Sequence, residues 1–121
     1  MGSDPRSRRT DEKVREALAL ALLEDVKDPR LDLVTVTGVE VSRDRKYARV
    51  FVTAHGDEER YAEVLAALDR AKGRLKAGIA ARVKMRFTPE LKFSIDRSVD
   101  EGMKISRILR EHAAGQDPEG S

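Results

Sequence analysis

The chain has 121 residues, 40% hydrophobic and 38% charged, with a net charge of +2 and no cysteine. That fits one soluble domain with a modest core, and it excludes disulfides and thiolate metal sites. No apolar run reaches the roughly 18 residues that span a bilayer, and the N-terminal arginines Arg6, Arg8 and Arg9 lead into no apolar segment, so neither a membrane anchor nor a secretory leader is expected.

Residues 1–9 read as a flexible basic arm. A helix is expected from Asp11 to Asp25, capped by Thr10, with Val14, Leu18, Ala21, Leu22 and Val26 at helical spacing. Asp28-Pro29-Arg30 should stop it, because the residue before proline is pushed out of the helical region. Leu33 to Val41 reads as a strand. Val34 and Val36 share one face, then Val39 and Val41 take the opposite phase after Gly38, which predicts a β-bulge. After a polar turn, Ser42 to Lys46, comes a second strand from Tyr47 to Ala54 with Ala48, Val50, Val52 and Ala54 inward.

Asp57 is placed to cap the next helix, whose stripe is Tyr61, Val64, Leu65 and Leu68 and continues to Leu75, Ile79 and Val83. At Ala71-Lys72-Gly73 that stripe carries a charge beside a weak helix former. An unbroken helix there would be about 40 Å long, against about 35 Å for the diameter of the whole domain, so a break or sharp bend is expected. Pro89 sits at the entrance to a third strand, with Leu91, Phe93 and Ile95 alternating with Lys92 and Ser94. Ser98 and Glu101 form a capping box for a last helix from Val99 to about Ala113. The expected organisation is thus an arm over 1–9, a domain over 10–97, a C-terminal helical segment over 98–114 and a disordered tail over 115–121. Three strands with helices on one face make an α+β domain.

The charge is segregated. Arg70 to Arg97 holds nine basic residues against two acids, +7, while Asp57 to Asp69 holds five acids and one arginine, −4. Such polarity suits a polyanion partner, although a solvated helix face beside its compensating neighbour reads the same way. Nothing in the chain suits catalysis. His55 and His112 lie outside metal-ligand or triad spacing, Asp57 and Glu58 sit where a helix dipole stabilises acids, and there is no phosphate-binding glycine loop.

Strand–helix–turn–helix order with a basic second helix suggests a KH-like module, but the GxxG clamp of that module is absent. Aromatics are 4%, and most of Tyr47, Phe51, Phe87 and Phe93 are better explained as core, so base stacking is not expected as the main binding mode. Charge and shape remain.

The sequence resembles the ribosome-binding factor A family of bacterial small-subunit assembly proteins. The resemblance runs over about residues 10–110. It rests on Asp28-Pro29-Arg30, Val34-Thr35-Val36-Thr37, Val39-Glu40-Val41-Ser42, Ala48-Arg49-Val50-Phe51-Val52, Ala71-Lys72-Gly73, Arg86-Phe87-Thr88-Pro89-Glu90-Leu91-Lys92-Phe93, and Asp96 with Glu101-Gly102-Met103. Arg45 departs from it, since the family more often has an apolar residue there. The resemblance implies a type II KH-like fold, α-β-β-α-kink-α-β, with an Ala-x-Gly kink in place of the GxxG loop. It also implies a cytoplasmic, non-catalytic factor that binds the small ribosomal subunit and its rRNA, assists late maturation of the 5′ end of that rRNA, and matters for growth in the cold. No cofactor, metal, membrane or small-molecule substrate is expected, and a monomer is. Candidate phosphate contacts are Arg70, Lys72, Arg74, Lys76, Arg82, Lys84 and Arg86, with Arg43, Arg45 and Lys46 from the hairpin turn. The rival readings are a general single-stranded RNA reader and a protein-interaction adaptor using the acidic face from Asp57 to Glu63.

Overall fold

The structure, a computed structural model, describes residues 5–98. The elements are α1 (Pro5–Glu24), β1 (Thr35–Val41), β2 (Tyr47–Thr53), α2 (Glu58–Arg70), α3 (Lys72–Arg82) and β3 (Glu90–Ile95), with a 3-10 turn at Pro29–Leu31. β2 is central. It pairs antiparallel with β1 and parallel with β3, so the helix pair α2–α3 is the crossover between the two parallel strands. The fold is α+β, as the order of elements predicts, and type II KH-like, as the family resemblance implies. The expected last helix, its capping box with Glu101 and the tail lie outside the described residues, as do residues 1–4 of the arm.

The sheet buries one face only. Val36 and Val39 from β1, Ala48, Val50 and Val52 from β2 with Ala54 just beyond it, and Leu91 from β3 point at the helices. Val14, Ala17, Leu18 and Ala21 of α1, Tyr61, Val64, Ala67 and Leu68 of α2, and Leu75 and Ile79 of α3 complete the core. The phase slip in β1 is a bulge between Val36 and Gly38, opposite Phe51. It lets both Val36 and Val39 face inward despite their odd spacing.

Two element starts differ from the sequence reading. α1 begins at Pro5, not Asp11, so residues 5–9 of the expected arm are helical. Proline suits a helix start, where its missing N–H is not needed. Thr10, the expected cap, and Asp11, the expected first helical residue, make tertiary contacts instead: the Asp11 carboxylate accepts from the Val41 N–H at 2.9 Å, and the Thr10 hydroxyl accepts from Arg45 at 3.2 Å. β1 begins at Thr35, not Leu33, because Leu33 is left-handed at φ 64 and breaks the extended run. Phe87 and Tyr47 are not core residues; both are exposed.

Asp28-Pro29-Arg30 closes the chain after α1. Asp28 accepts from the Arg30 backbone N–H at 3.0 Å and pairs with its guanidinium at 3.0 and 2.9 Å. The Arg30 side chain, then its N–H, hold the Asp28 carboxyl below the usual carboxylate range, with a smaller contribution from Arg70.

The break between α2 and α3 falls at Ala71, with φ −85 and ψ 0. The hydrogen-bond ladder still runs through it, from the Ala71 N–H to the Ala67 carbonyl at 3.0 Å and from the Leu75 N–H to the Ala71 carbonyl at 2.9 Å. It is a kink, not a loop. The kink allows α2 to bury its stripe against the sheet and the 3-10 turn while α3 buries Leu75, Gly78 and Ile79 and packs against α1.

Candidate nucleic-acid interface

The basic residues split into those engaged with the fold and those left exposed. Arg82 is engaged. Its guanidinium donates to Glu24 at 2.9 Å, to Asp25 at 2.9 Å and to the Gly78 carbonyl at 3.1 Å. It ties the end of α3 to the end of α1, and Asp25, then Glu24, raise its pKa. Gly78 makes room for this. A Cβ there would lie 2.5 Å from the Ala21 Cβ and 2.8 Å from an Asp25 carboxylate oxygen, so only glycine permits the approach of the two helices.

Gly73, in the first turn of the same helix, is the reverse case. A Cβ there would meet nothing within 4 Å. The backbone at the kink is bare towards solvent. Around it, Lys72 pairs with Asp69 at 2.9 Å, Lys76 pairs with Glu90, and Arg74 is exposed without an ion-pair partner among the described residues. Lys76, and more weakly Lys72, hold the Glu90 carboxyl below its usual range. Lys76 thus reaches the start of β3, while the ion pair that Lys72 makes is with Asp69 at the end of α2. Arg70 acts on Asp28 by the 3-10 turn, so the kink leaves it facing a different neighbour from Lys72 and Lys76.

The hairpin turn arrives at the same place. The Ser42 N–H donates to the Tyr47 carbonyl at 2.8 Å and the Arg45 N–H to the Ser42 carbonyl at 2.9 Å. Asp44 accepts from the Ser42 hydroxyl at 2.6 Å and the Lys46 N–H at 3.0 Å; the first of these does most to lower its pKa. Arg45 takes the left-handed conformation, φ 62, that closes the turn. The Lys46 carbonyl accepts from the Glu90 N–H at 2.8 Å, which docks the turn on β3. Arg43, Arg45 and Lys46 are all exposed.

A groove beside this turn is lined by Lys13, Glu16, Arg45, Arg82, Lys84 and Met85. The structure thus brings Arg43, Arg45, Lys46, Lys72, Lys76 and Lys84 around the start of β3, with Arg86 in the loop leading into it. It separates Arg70 from them and leaves Arg82 neutralised by two acids. Two further cations belong to this end, and the sequence alone does not single them out. Lys13 stands in a mixed-charge helix, and the Arg45–Thr10 and Val41–Asp11 contacts bring that helix to the turn. Lys92 lies on the open face of the sheet, its ammonium 5.4 Å from the centre of the Tyr47 ring.

The acidic stretch is partly used internally. Asp57 caps α2 by accepting from the Arg60 N–H at 3.0 Å, and Glu58 pairs with Arg97, one hydrogen bond being 2.9 Å. That pairing lowers the Glu58 pKa. Arg97 also lies 5.0 Å from the centre of the Tyr61 ring. Asp96, held below the usual carboxylate range chiefly by the Ser98 hydroxyl, also accepts from the Thr37 hydroxyl at 2.8 Å. Among the described residues no group of three His, Cys, Asp or Glu is placed to hold a metal ion, and no helix is long and apolar enough to cross a membrane.

The family model described as ribosome-binding factor A matches residues 6–109. The chain belongs to the ribosome-binding factor A family. A Brevibacillus brevis protein of that name is 48% identical over 103 residues, 85% of each chain, and one from Caldanaerobacter subterraneus is 41% identical over 107 residues, 88% of each. The crystal structure of ribosome-binding factor A from Thermus thermophilus matches with a TM-score of 0.68 at 38% identity, covering 76% of this chain and 97% of that one. A Thermus thermophilus ribosome-binding factor A homology model, as fitted into an electron cryo-microscopy map of a 30S complex, matches with a TM-score of 0.60 at 40% identity, covering 72% of this chain and 91% of that one. Ribosome-binding factor A membership thus agrees with the resemblance carried by the sequence motifs.

Proposed function

We propose that this chain is a non-catalytic ribosome-assembly factor that binds the small ribosomal subunit through its rRNA. On this reading it acts as a monomer in the cytoplasm, needs no cofactor, assists late maturation of the 5′ end of small-subunit rRNA and matters most in the cold. The observation that carries the reading is the cationic surface around the start of β3, where α3, the hairpin turn and α1 converge. Arg43 and Lys84 there, and Arg74 in the first turn of α3, have no ion-pair partner among the described residues and are exposed. Uncommitted cations of this kind exchange counterions for phosphates. The relatives' name and the 30S complex of the Thermus thermophilus homologue give the phosphates a source.

The test is charge reversal. Lys72→Glu with Arg74→Glu and Lys76→Glu should lower affinity for purified small subunits by about 100-fold or more. It should also reduce the slope of log affinity against log salt by roughly 1 for each phosphate no longer neutralised. Unchanged affinity in the reversed protein rejects this surface as the binding face. Accumulation of unprocessed small-subunit rRNA in cells that carry the variant, greater in the cold, would support the maturation role.

A further inference from the structure

Two aromatic side chains are exposed among the described residues, Phe87 at 71% and Tyr47 at 49%, while Tyr61 is buried and Phe51 and Phe93 are half-buried. The exposed two sit at one end of the sheet. Tyr47 opens β2 and is paired in register with Glu90, and Phe87 stands three residues before Glu90. Each ring is attended by a cation: the Arg86 guanidinium lies 5.5 Å from the centre of Phe87, and the Lys92 ammonium 5.4 Å from that of Tyr47.

The segment that carries Phe87 is anchored on both sides. Val83 and Met85 pack against the core, Pro89 is fully buried, and Glu90 is hydrogen-bonded to Lys46. Phe87 breaks this alternation and turns outward. One exposed apolar side chain on a protein surface needs no explanation. Two aromatics, each with a cation over one ring face and with Arg43, Arg45, Lys46 and Lys84 in the flanking segments, pair exposed π surface with positive charge. That chemistry suits an unpaired nucleobase, whose face stacks on the ring while its phosphate meets the cation. An apolar protein groove would leave those cations facing low-dielectric surface without partners.

We propose that Phe87, with Tyr47 beside it, is a stacking platform for unpaired bases of small-subunit rRNA. The inference rests on the rRNA-binding reading above and adds a mode of binding that charge alone does not supply. Phe87→Leu keeps an apolar side chain at an exposed position, so its unfolding curve should match that of the parent chain. Its affinity for purified small subunits should fall about 5- to 100-fold. Stacking releases few counterions, so the salt slope should stay unchanged, unlike that of the charge-reversed protein. Phe87→Trp should restore the affinity. Tyr47→Val should show the same pattern with a smaller loss. A parent chain that does not bind subunits, or a charge reversal without effect, counts against the rRNA reading. If the parent chain binds, Phe87→Leu binding as well as it does, or Phe87→Trp binding no better than Phe87→Leu, overturns the platform alone. A photoreactive p-benzoylphenylalanine at position 87 should crosslink to rRNA; crosslinks confined to a ribosomal protein or to this chain also overturn it.

Discussion

The two halves of α3 have opposite uses for similar residues. The second half is built inward: Gly78 is a glycine because α1 leaves no room for a Cβ, and Arg82 is held by Glu24, Asp25 and the Gly78 carbonyl. The first half is built outward: Gly73 faces open space and Arg74 reaches solvent unpaired. A glycine and an arginine in one short helix therefore report packing at one end and exposed charge at the other. Residue type alone does not separate the two; the neighbour across the helix does.

The sharpest way to break the comparison is to give both glycines a methyl group. Gly78→Ala should destabilise the fold by about 1–3 kcal/mol through overpacking, despite a gain in helix propensity of up to about 1 kcal/mol. Gly73→Ala has that gain without the clash and should raise stability by about 0.5–1 kcal/mol, while subunit binding weakens if RNA backbone approaches the bare turn. Urea unfolding of both, with subunit affinity, reads the contrast; equal stability changes would abolish it.

The arginines give a smaller effect. Arg82→Ala should lower the urea midpoint by removing the tie between α3 and α1, and leave the salt slope of subunit binding unchanged. Arg74→Ala should leave stability within about 0.5 kcal/mol and lower that slope by about 1. The smallest effect is set by acid. Glu90, Glu58, Asp28 and Asp96 have pKa values lowered in the folded chain, chiefly by Lys76, Arg97, Arg30 and Ser98 respectively. A lowered folded pKa gives stability that is present above the ordinary carboxylate range and lost as pH falls through the folded value. Melting temperature should be level above about pH 5 and decline below about pH 4, and Glu90→Gln should shave a little off that decline.

Much of the fold is legible in the chain because it depends on local order. The alternation in Tyr47 to Ala54, the phase slip at Gly38, the Asp57 cap and the interruption at Ala71 are near-neighbour signals, and each corresponds to an observed element. The start of α1 is not legible, because Thr10 looks like a cap and Asp11 like a first-turn acid, and they instead bond the hairpin turn and β1, some thirty residues away. The candidate surface is half legible for the same reason. A run of lysines and arginines is visible in sequence; that Arg82 is consumed by Glu24 and Asp25, or that Lys13 joins Arg45 and Lys84, depends on which helices touch. Phe87 is the plainest case. Between Met85 and Pro89 its spacing says buried, and only the path of the loop turns it out.

The parallel pairing of β2 with β3 bears on how the chain matures. β1 and β2 meet across a short turn, but β3 reaches its place only after both helices between them are laid down, since Tyr47 must find Glu90. Local hairpins close fast, and pairings across such long intervals close late. The cationic end, with Lys46 bonded to Glu90 and Lys76 beside it, therefore depends on a pairing that forms later than the hairpin as the chain is synthesised. A half-made chain can carry a finished hairpin and yet lack the surface proposed to meet rRNA, so on that proposal binding is possible only once β3 has docked.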